Sequence, residues 1–150
     1  MTTNEKIAAL RAAAQAAGAH GVLLMTSDPH SSEYLPAYYN SLPFFSGFTG
    51  ENSTLVVTLT GSACGAMAAF MFRVTVSWPV PKLSACTPVP PGVPTVEEYL
   101  TAHFAAGQTL LLDGSCVPAT IAKEYIDALA KKGAASRVRT WPARSGTPPA

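Results

Sequence analysis

Apolar residues recur at helical spacing near the start of the chain. Four of them fall on one face of a helix: Ile7, Leu10, Ala14 and Ala17. Thr2 and Glu5 stand three residues apart, as in a capping box, and Gly18 can supply the left-handed residue that ends a helix. The pattern therefore predicts a first helix that ends at about Gly18.

Two later segments show the same spacing. Thr95 and Glu98 form a second potential capping box, and the segment up to Gly107 has an apolar face made of Val96, Leu100 and Phe104. Pro118 is suited to open a third helix and Gly133 to close it. The apolar face of this third helix consists of Ile121, Tyr125 and Leu129.

Three strands are predicted between these helices. Residues 21–25 are an unbroken apolar run, residues 54–60 are rich in β-branched side chains, and residues 109–112 end at an Asp-Gly turn. Strands that alternate with helices indicate an α/β domain with a mixed β-sheet flanked by helices. Residues 28–50 are interpreted as a long structured loop with room for a turn of helix, and residues 134–150 as an irregular tail.

The low content of charged residues argues against some classes of binding partner. Charged residues make up only 13% of the chain and the net charge is +1, so neither a nucleic-acid partner nor an anionic membrane has electrostatic support. The three cysteines, Cys64, Cys86 and Cys116, are widely spaced and are interpreted as reduced thiols. The first twenty residues have no secretory pattern. A cytoplasmic protein of one 150-residue domain is expected.

Residues 62–91 do not fit an ordinary soluble element. Arg73 and Lys82 are their only charged residues, and six of the thirteen prolines of the chain lie between positions 79 and 94. Proline removes a backbone donor and restricts the residue before it, so no regular element is expected across residues 79–94. Residues 66–72 are apolar enough for a buried strand, and this assignment stays open.

No catalytic or metal-ligating residue is predicted in this chain. His20, His30 and His103 have no second ligand at helical spacing, and a Gly-x-Ser-x-Gly motif is absent.

The densest polar cluster is a candidate interface loop with four residues: Asp28, His30, Glu33 and Tyr34. This cluster has two interpretations. Its acidic and histidine side chains can form a pH-sensitive acid–base group, or Asp28 makes a turn while Glu33 pairs with His30, and the second is favoured.

Several motifs in order resemble the N-terminal domain of cytosolic Xaa-Pro aminopeptidases, which is the creatinase/prolidase N-terminal type. The segments are SDPHSSEYLP at residues 27–36, FSGFTG at 45–50, TLVV at 54–57, and PGVPTVEEYL at 91–100. LDG at 112–114 adds to them, so the resemblance covers about residues 5–61 and 90–133. It implies a mixed sheet flanked by helices, in agreement with the pattern above.

The resemblance also implies where catalysis takes place. In that family a later pita-bread domain binds two divalent metals, usually manganese, through Asp, His and Glu side chains, and this chain lacks that domain. The implied function is a non-catalytic N-terminal fragment that helps cover the metal site and contributes to a possible homodimer. Peptide substrate would be bound only by a full-length relative. The alternative is a stand-alone α/β interaction or dimerisation module without peptidase function.

The atypical segment is also where the resemblance breaks. The family has a W-x-D-G-R-[FY] strand and a helix with R-Q-L-A-G after the strand at residues 54–60, and neither occurs here. With suitable synonymous codons, residues 63–81 read one base earlier can encode LWGDGRFYVQGDRQLAGS. Met67, Met71 and Trp78 force three letters of this string, and all three agree with the family. We therefore hypothesise compensating frameshifts that enter near Ser62 and leave before Pro91, and we expect a marginally stable domain.

Overall fold

The computed structural model describes residues 2–28, 30, 32–36, 39–49, 52–66, 82–84 and 94–139. The described helices are α1 (Thr3–Ala16), α2 (Leu42–Ser46), α3 (Val96–His103) and α4 (Ala119–Lys131). The described strands are β1 (Gly21–Met25), β2 (Thr54–Thr58), β3 (Ser62–Ala66), β4 (Lys82–Ser84), β5 (Thr109–Asp113) and β6 (Ala135–Arg139).

The strands form one mixed sheet in the order β4-β3-β2-β1-β5-β6. β1 lies in the interior, antiparallel to β2 and parallel to β5. β2 and β3 are antiparallel, whereas β3 with β4 and β5 with β6 are parallel. The predicted α/β class with a mixed sheet flanked by helices is confirmed.

Alternation along the interior strands divides the apolar side chains between the two faces of the sheet. In β1, Val22 and Leu24 pack with residues of α1 and α2, whereas Leu23 packs on the opposite face with residues of α3 and α4. β1 is therefore buried on both sides, as its unbroken apolar run predicted. The sheet lies between two layers of helices.

Helix ends follow the predicted signals. Thr2 with Glu5 and Thr95 with Glu98 both form complete capping boxes, in which each side chain bonds the backbone N–H of the other residue. Gly18, with φ at 70°, lies just beyond the C-terminus of α1 in the left-handed conformation. The one difference is that α3 ends at His103, earlier than the predicted end at Gly107, because Phe104 already has an extended backbone.

Two predictions about irregular segments were wrong. Residues 135–139 lie in the predicted irregular tail, but they form β6, which pairs with β5 along its whole length. The strand is set by backbone pairing and not by burial, since four of its five residues are exposed. Residues 82–84 form the short strand β4, where no regular element was expected. Residues 62–66, the start of the atypical segment, form β3. Residues 67–81, 85–91 and 140–150 lie outside the described residues, and so does all but the first residue of the strand left open at residues 66–72.

Arg137 of β6 joins the edge of the sheet to the end of the first helix. Its Nη2 atom donates to the carbonyl oxygens of Ala17 at 2.6 Å and Gly18 at 3.3 Å. The last turn of α1 contains no basic residue of its own. Arg137 therefore provides a positive charge at the negative end of the helix dipole and satisfies carbonyls that lack a helical partner.

Replacing Arg137 with alanine is expected to lower the free energy of unfolding by about 0.5–2 kcal/mol, because the end of α1 loses its cation and donors. Urea unfolding followed by circular dichroism measures this. Arg139→Ala is the matched control, since Arg139 is an exposed arginine on the same strand. Equal losses in the two variants would contradict the capping role.

Among the described residues, no helix is both long and apolar enough to cross a membrane.

Candidate functional site

The candidate interface loop follows the carboxyl end of β1 and is organised by Asp28. This side chain is 2% exposed, and its Oδ1 atom accepts hydrogen bonds from the backbone N–H groups of His30 at 2.9 Å and Ser32 at 3.0 Å. The hydrogen bond from Ser32 is the main reason that the pKa of Asp28 is lowered from its usual value, and the one from His30 adds to it. The carboxylate thus holds the loop as a turn.

The other candidate residues are presented outward. His30, Glu33 and Tyr34 are exposed, and Tyr34 is 84% exposed. Within the described part of the chain, no ion pair joins Glu33 to His30, so the favoured pairing was wrong although the turn at Asp28 is confirmed. The reason is that Asp28 folds the loop through backbone amides. Neither side chain is then needed to close it.

Hydrogen bonds between Thr26 and Ser53 join the start of the loop to the residue before β2. The Thr26 hydroxyl accepts from the Ser53 backbone N–H at 2.6 Å, and the Thr26 backbone N–H donates to the Ser53 carbonyl at 2.9 Å. The neighbouring Asn52 has φ at 48°, which is left-handed and unfavourable for most residues other than glycine. The clamp between Thr26 and Ser53 holds the backbone next to this residue.

These segments border a cleft of about 280 Å³. Among the described residues, its lining includes Glu33 and Tyr34 together with Thr26, Ser32, Leu35, Asn40, Thr49 and Asn52. Sequence reasoning singled out Glu33 and Tyr34 but missed Asn40, Thr49 and Asn52. The asparagine at position 52, two residues before the strand that begins at Thr54, was the one local signal, because asparagine tolerates the left-handed conformation better than most residues.

The segment that leads to Thr49 contains α2, which is the turn of helix expected between residues 28 and 50. Phe45 is 1% exposed and packs in the core below α1. The hydroxyl of Ser46 donates to the Leu42 carbonyl at 2.8 Å and accepts from the Phe48 N–H at 3.0 Å. Core packing and these hydrogen bonds therefore hold residues 42–48, and the next residue, Thr49, lines the cleft.

The described residues do not fit a metal centre. No group of three His, Cys, Asp or Glu side chains among them could hold an ion. His20 accepts a hydrogen bond at Nδ1 from the Thr109 N–H at 3.1 Å, and His103 stacks on Tyr99 with ring centroids 3.9 Å apart. His20 therefore contacts the backbone at the start of β5, and His103 contacts a residue of its own helix.

Asp28 gives the domain a specific response to acid. Because its pKa is lower in the folded state, its contribution to stability is complete above the ordinary pKa of a carboxyl, near 4, and is lost as the pH falls through the folded value. Asp28→Asn is expected to be less stable at pH 7 and to lose less stability between pH 5 and pH 3. Urea unfolding at both pH values tests this, with the exposed Asp127→Asn as control. An unchanged acid response in Asp28→Asn would contradict it.

Parts of known peptidases resemble this chain in sequence and in fold. No family model matches the sequence. A probable Xaa-Pro aminopeptidase P of Metarhizium robertsii is 29% identical over 140 residues, which cover 91% of this chain and 22% of that protein. Aminopeptidase P2 of Arabidopsis thaliana is 26% identical over 88% of this chain and 19% of its own length. The chain therefore spans about a fifth of the curated relatives it matches.

Solved structures agree on the fold. An X-prolyl aminopeptidase of Caenorhabditis elegans, described as a cytosolic enzyme with a di-nuclear active site, has a TM-score of 0.76 at 24% identity over 92% of this chain and 24% of its own. The N-terminal domain of the peptidase PepQ from Mycobacterium tuberculosis has a TM-score of 0.64 at 16% identity, covering 95% and 98% of the two chains.

The resemblance in the sequence motifs is therefore confirmed. The chain has the fold of a creatinase/prolidase N-terminal domain, and its sequence relatives are Xaa-Pro aminopeptidases, of which it matches the N-terminal part.

Proposed function

We propose that this creatinase/prolidase-type chain serves as the non-catalytic N-terminal domain of an Xaa-Pro aminopeptidase. The proposal rests on the extent of the sequence match: nine-tenths of this chain matches about a fifth of a probable Xaa-Pro aminopeptidase P. Hydrolysis of the bond before proline would then belong to the remaining four-fifths of such a protein. The domain would restrict access to the metal site and contribute to contacts within a homodimer.

The candidate interface loop is the surface best suited to this role. Asp28 holds its backbone through two hydrogen bonds, while Glu33 and Tyr34 remain exposed. A loop that is already ordered loses less conformational entropy when a partner binds, so more of its contact energy appears as affinity. A tyrosine supplies a large contact area with few rotatable bonds. We place the partner, either the catalytic part or a second copy, on this loop.

The metals of the reaction would lie in the catalytic part. Hydrolysis by a di-nuclear centre requires several carboxylate and imidazole ligands around two cations, and the described residues bring no such set together. The C. elegans neighbour is described as having a di-nuclear active site and as cytosolic. We infer two divalent metals, with manganese as the expected ion, in the catalytic part, and a cytoplasmic location for the assembly.

The experiment is a complementation assay. The chain is incubated with Mn²⁺ and a peptide that has proline as its second residue, alone or with the C. elegans enzyme lacking its own N-terminal domain. We expect no release of the first residue by the chain alone, and both association and increased release with the truncated enzyme. The double variant Glu33→Ala/Tyr34→Ala should weaken the association. Glu124→Ala, an exposed glutamate on α4, is the control.

Three results would change this assignment. Stoichiometric Mn²⁺ binding and peptide hydrolysis by the chain alone would overturn the non-catalytic role. Self-association without any effect on the truncated enzyme would favour the stand-alone dimerisation module. Association that is unchanged in Glu33→Ala/Tyr34→Ala would place the interface elsewhere on the domain.

A further inference from the structure

The cleft beside the candidate interface loop has the chemistry of a cation acceptor. Glu33 is the one charged residue in its described lining, and no basic residue accompanies it. Within the described part of the chain, neither Glu33 nor Tyr34 makes a hydrogen bond or an ion pair. The carboxylate and the phenol ring therefore remain available to a ligand at the edge of the cleft.

The size of the cleft limits its occupant. Its volume of about 280 Å³ lies just below the ~300–1,000 Å³ of pockets that enclose whole drug-sized molecules or cofactors. It is suited to a single long side chain or a comparably small group. The lining also includes Asn40, Asn52, Ser32 and Thr49, whose amide and hydroxyl groups contain acceptor oxygens.

We propose that this cleft receives an arginine side chain from the catalytic part of the peptidase. The guanidinium pairs with the Glu33 carboxylate, stacks on the ring of Tyr34, and donates its remaining hydrogens to amide oxygens of Asn40 and Asn52. The inference deepens the proposed interface and rests on it for the source of the arginine.

Arginine fits this lining better than other side chains do. Its planar group carries five N–H donors and no acceptor, whereas the cleft offers a carboxylate, an aromatic face and several acceptor oxygens. Lysine can satisfy the charge but not the planar stacking. An anionic segment would be repelled by Glu33, and a purely apolar one would leave the polar lining without partners.

The backbone conformation of Asn52 favours this contact. Its left-handed backbone lies beside the clamp between Thr26 and Ser53, in which the Ser53 N–H donates to the Thr26 hydroxyl at 2.6 Å. A residue kept in an uncommon conformation by its neighbours requires little rearrangement when a ligand arrives. Thr26→Val, which removes the hydroxyl of the clamp, should therefore weaken arginine binding without altering Glu33.

The test uses small probes and the full 150-residue chain. Nα-acetyl-arginine amide is titrated into labelled protein and followed by NMR, with the citrulline analogue as a neutral probe of the same shape. We expect the arginine probe to shift the resonances of the cleft residues and to bind at least about tenfold more tightly than citrulline, as expected for a charge-assisted contact. Nα-acetyl-lysine amide should fall between them.

Two variants and one control complete the design. Glu33→Gln is expected to reduce arginine affinity about tenfold to the citrulline level, and Tyr34→Leu about two- to fivefold through loss of the stacked ring. Glu124→Gln, which removes an exposed carboxylate on α4, should have no effect. Because Glu33 and Tyr34 are exposed and unpaired, circular dichroism should show an unchanged fold in both variants.

Equal binding of arginine and citrulline, or no detectable binding of arginine, would overturn this inference. So would an unchanged affinity in Glu33→Gln. These failures are distinct from a failure of the proposed function, because the truncated aminopeptidase can still bind the domain through other contacts in the complementation assay. Conversely, arginine binding without association would support the cleft as an arginine site and overturn the peptidase as the source of the arginine.

Discussion

Gly21→Ala is expected to lower the free energy of unfolding by about 1–3 kcal/mol, and Gly21→Val by more. Gly21 begins β1, where a Cβ atom would lie 2.6 Å from Cζ of Phe104 and 2.8 Å from the carbonyl oxygen of Val57. One of these atoms belongs to the backbone of the neighbouring strand, so the clash cannot be relieved by a side-chain rotation alone. A total stability of ~5–15 kcal/mol is typical of a domain, so the valine variant can lose its cooperative transition.

Gly61→Ala is the matched control for this substitution. A Cβ atom there would lie 3.6 Å from the Thr58 hydroxyl and 3.9 Å from the Tyr99 hydroxyl, which are ordinary contacts. Urea unfolding should therefore separate the two alanine variants clearly. If Gly21→Ala is no less stable than Gly61→Ala, the close approach of Phe104 and Val57 does not limit the size of this residue.

Replacing residues 64–81 with LWGDGRFYVQGDRQLAGS is the second change with a large expected effect. Under the frameshift hypothesis this string restores the strand and helix sequences that the resemblance implies. Each large buried side chain that it returns is worth ~2–5 kcal/mol, a substantial fraction of the stability of a domain. We expect a higher and sharper thermal transition and a stronger near-ultraviolet circular dichroism signal.

A scrambled version of the same 18 residues is the control for composition. An equal gain from the scrambled string would show that added charge, and not sequence order, improves the domain. The coding DNA supplies an independent test, because the hypothesis requires that its frame one base earlier encode this string. A sharp thermal transition in the unaltered chain would contradict the expectation of marginal stability.

Local signals in the sequence were sufficient for much of the fold. The capping boxes at Thr2 and Thr95 mark helix starts because each satisfies backbone donors that a helix leaves free. The unbroken apolar run of β1 identifies an interior strand, since both of its faces are covered by helices. These elements depend on residues close together in the chain, which is why their pattern alone was informative.

Other features depend on residues far apart in sequence. β6 consists largely of exposed residues, and only its pairing with β5 makes it a strand. The bond from Arg137 to Ala17 joins positions separated by 120 residues. The cleft combines the loop after β1 with Asn52, whose position depends on its neighbour's contact with Thr26. Such contacts are products of the tertiary fold and leave little trace in local composition.

The position of β3 and β4 in the sheet has a consequence for how the domain opens. They are the last two strands on one side, and the interface loop leaves from β1, two strands farther in. Amide hydrogens of β3 and β4 should therefore exchange with solvent earlier than those of β1 and β5, since strands at a margin can detach without separating the centre. A sequence change in residues 62–84 would then detach β3 and β4 from the sheet, while β1 and the loop that carries Glu33 and Tyr34 keep their structure.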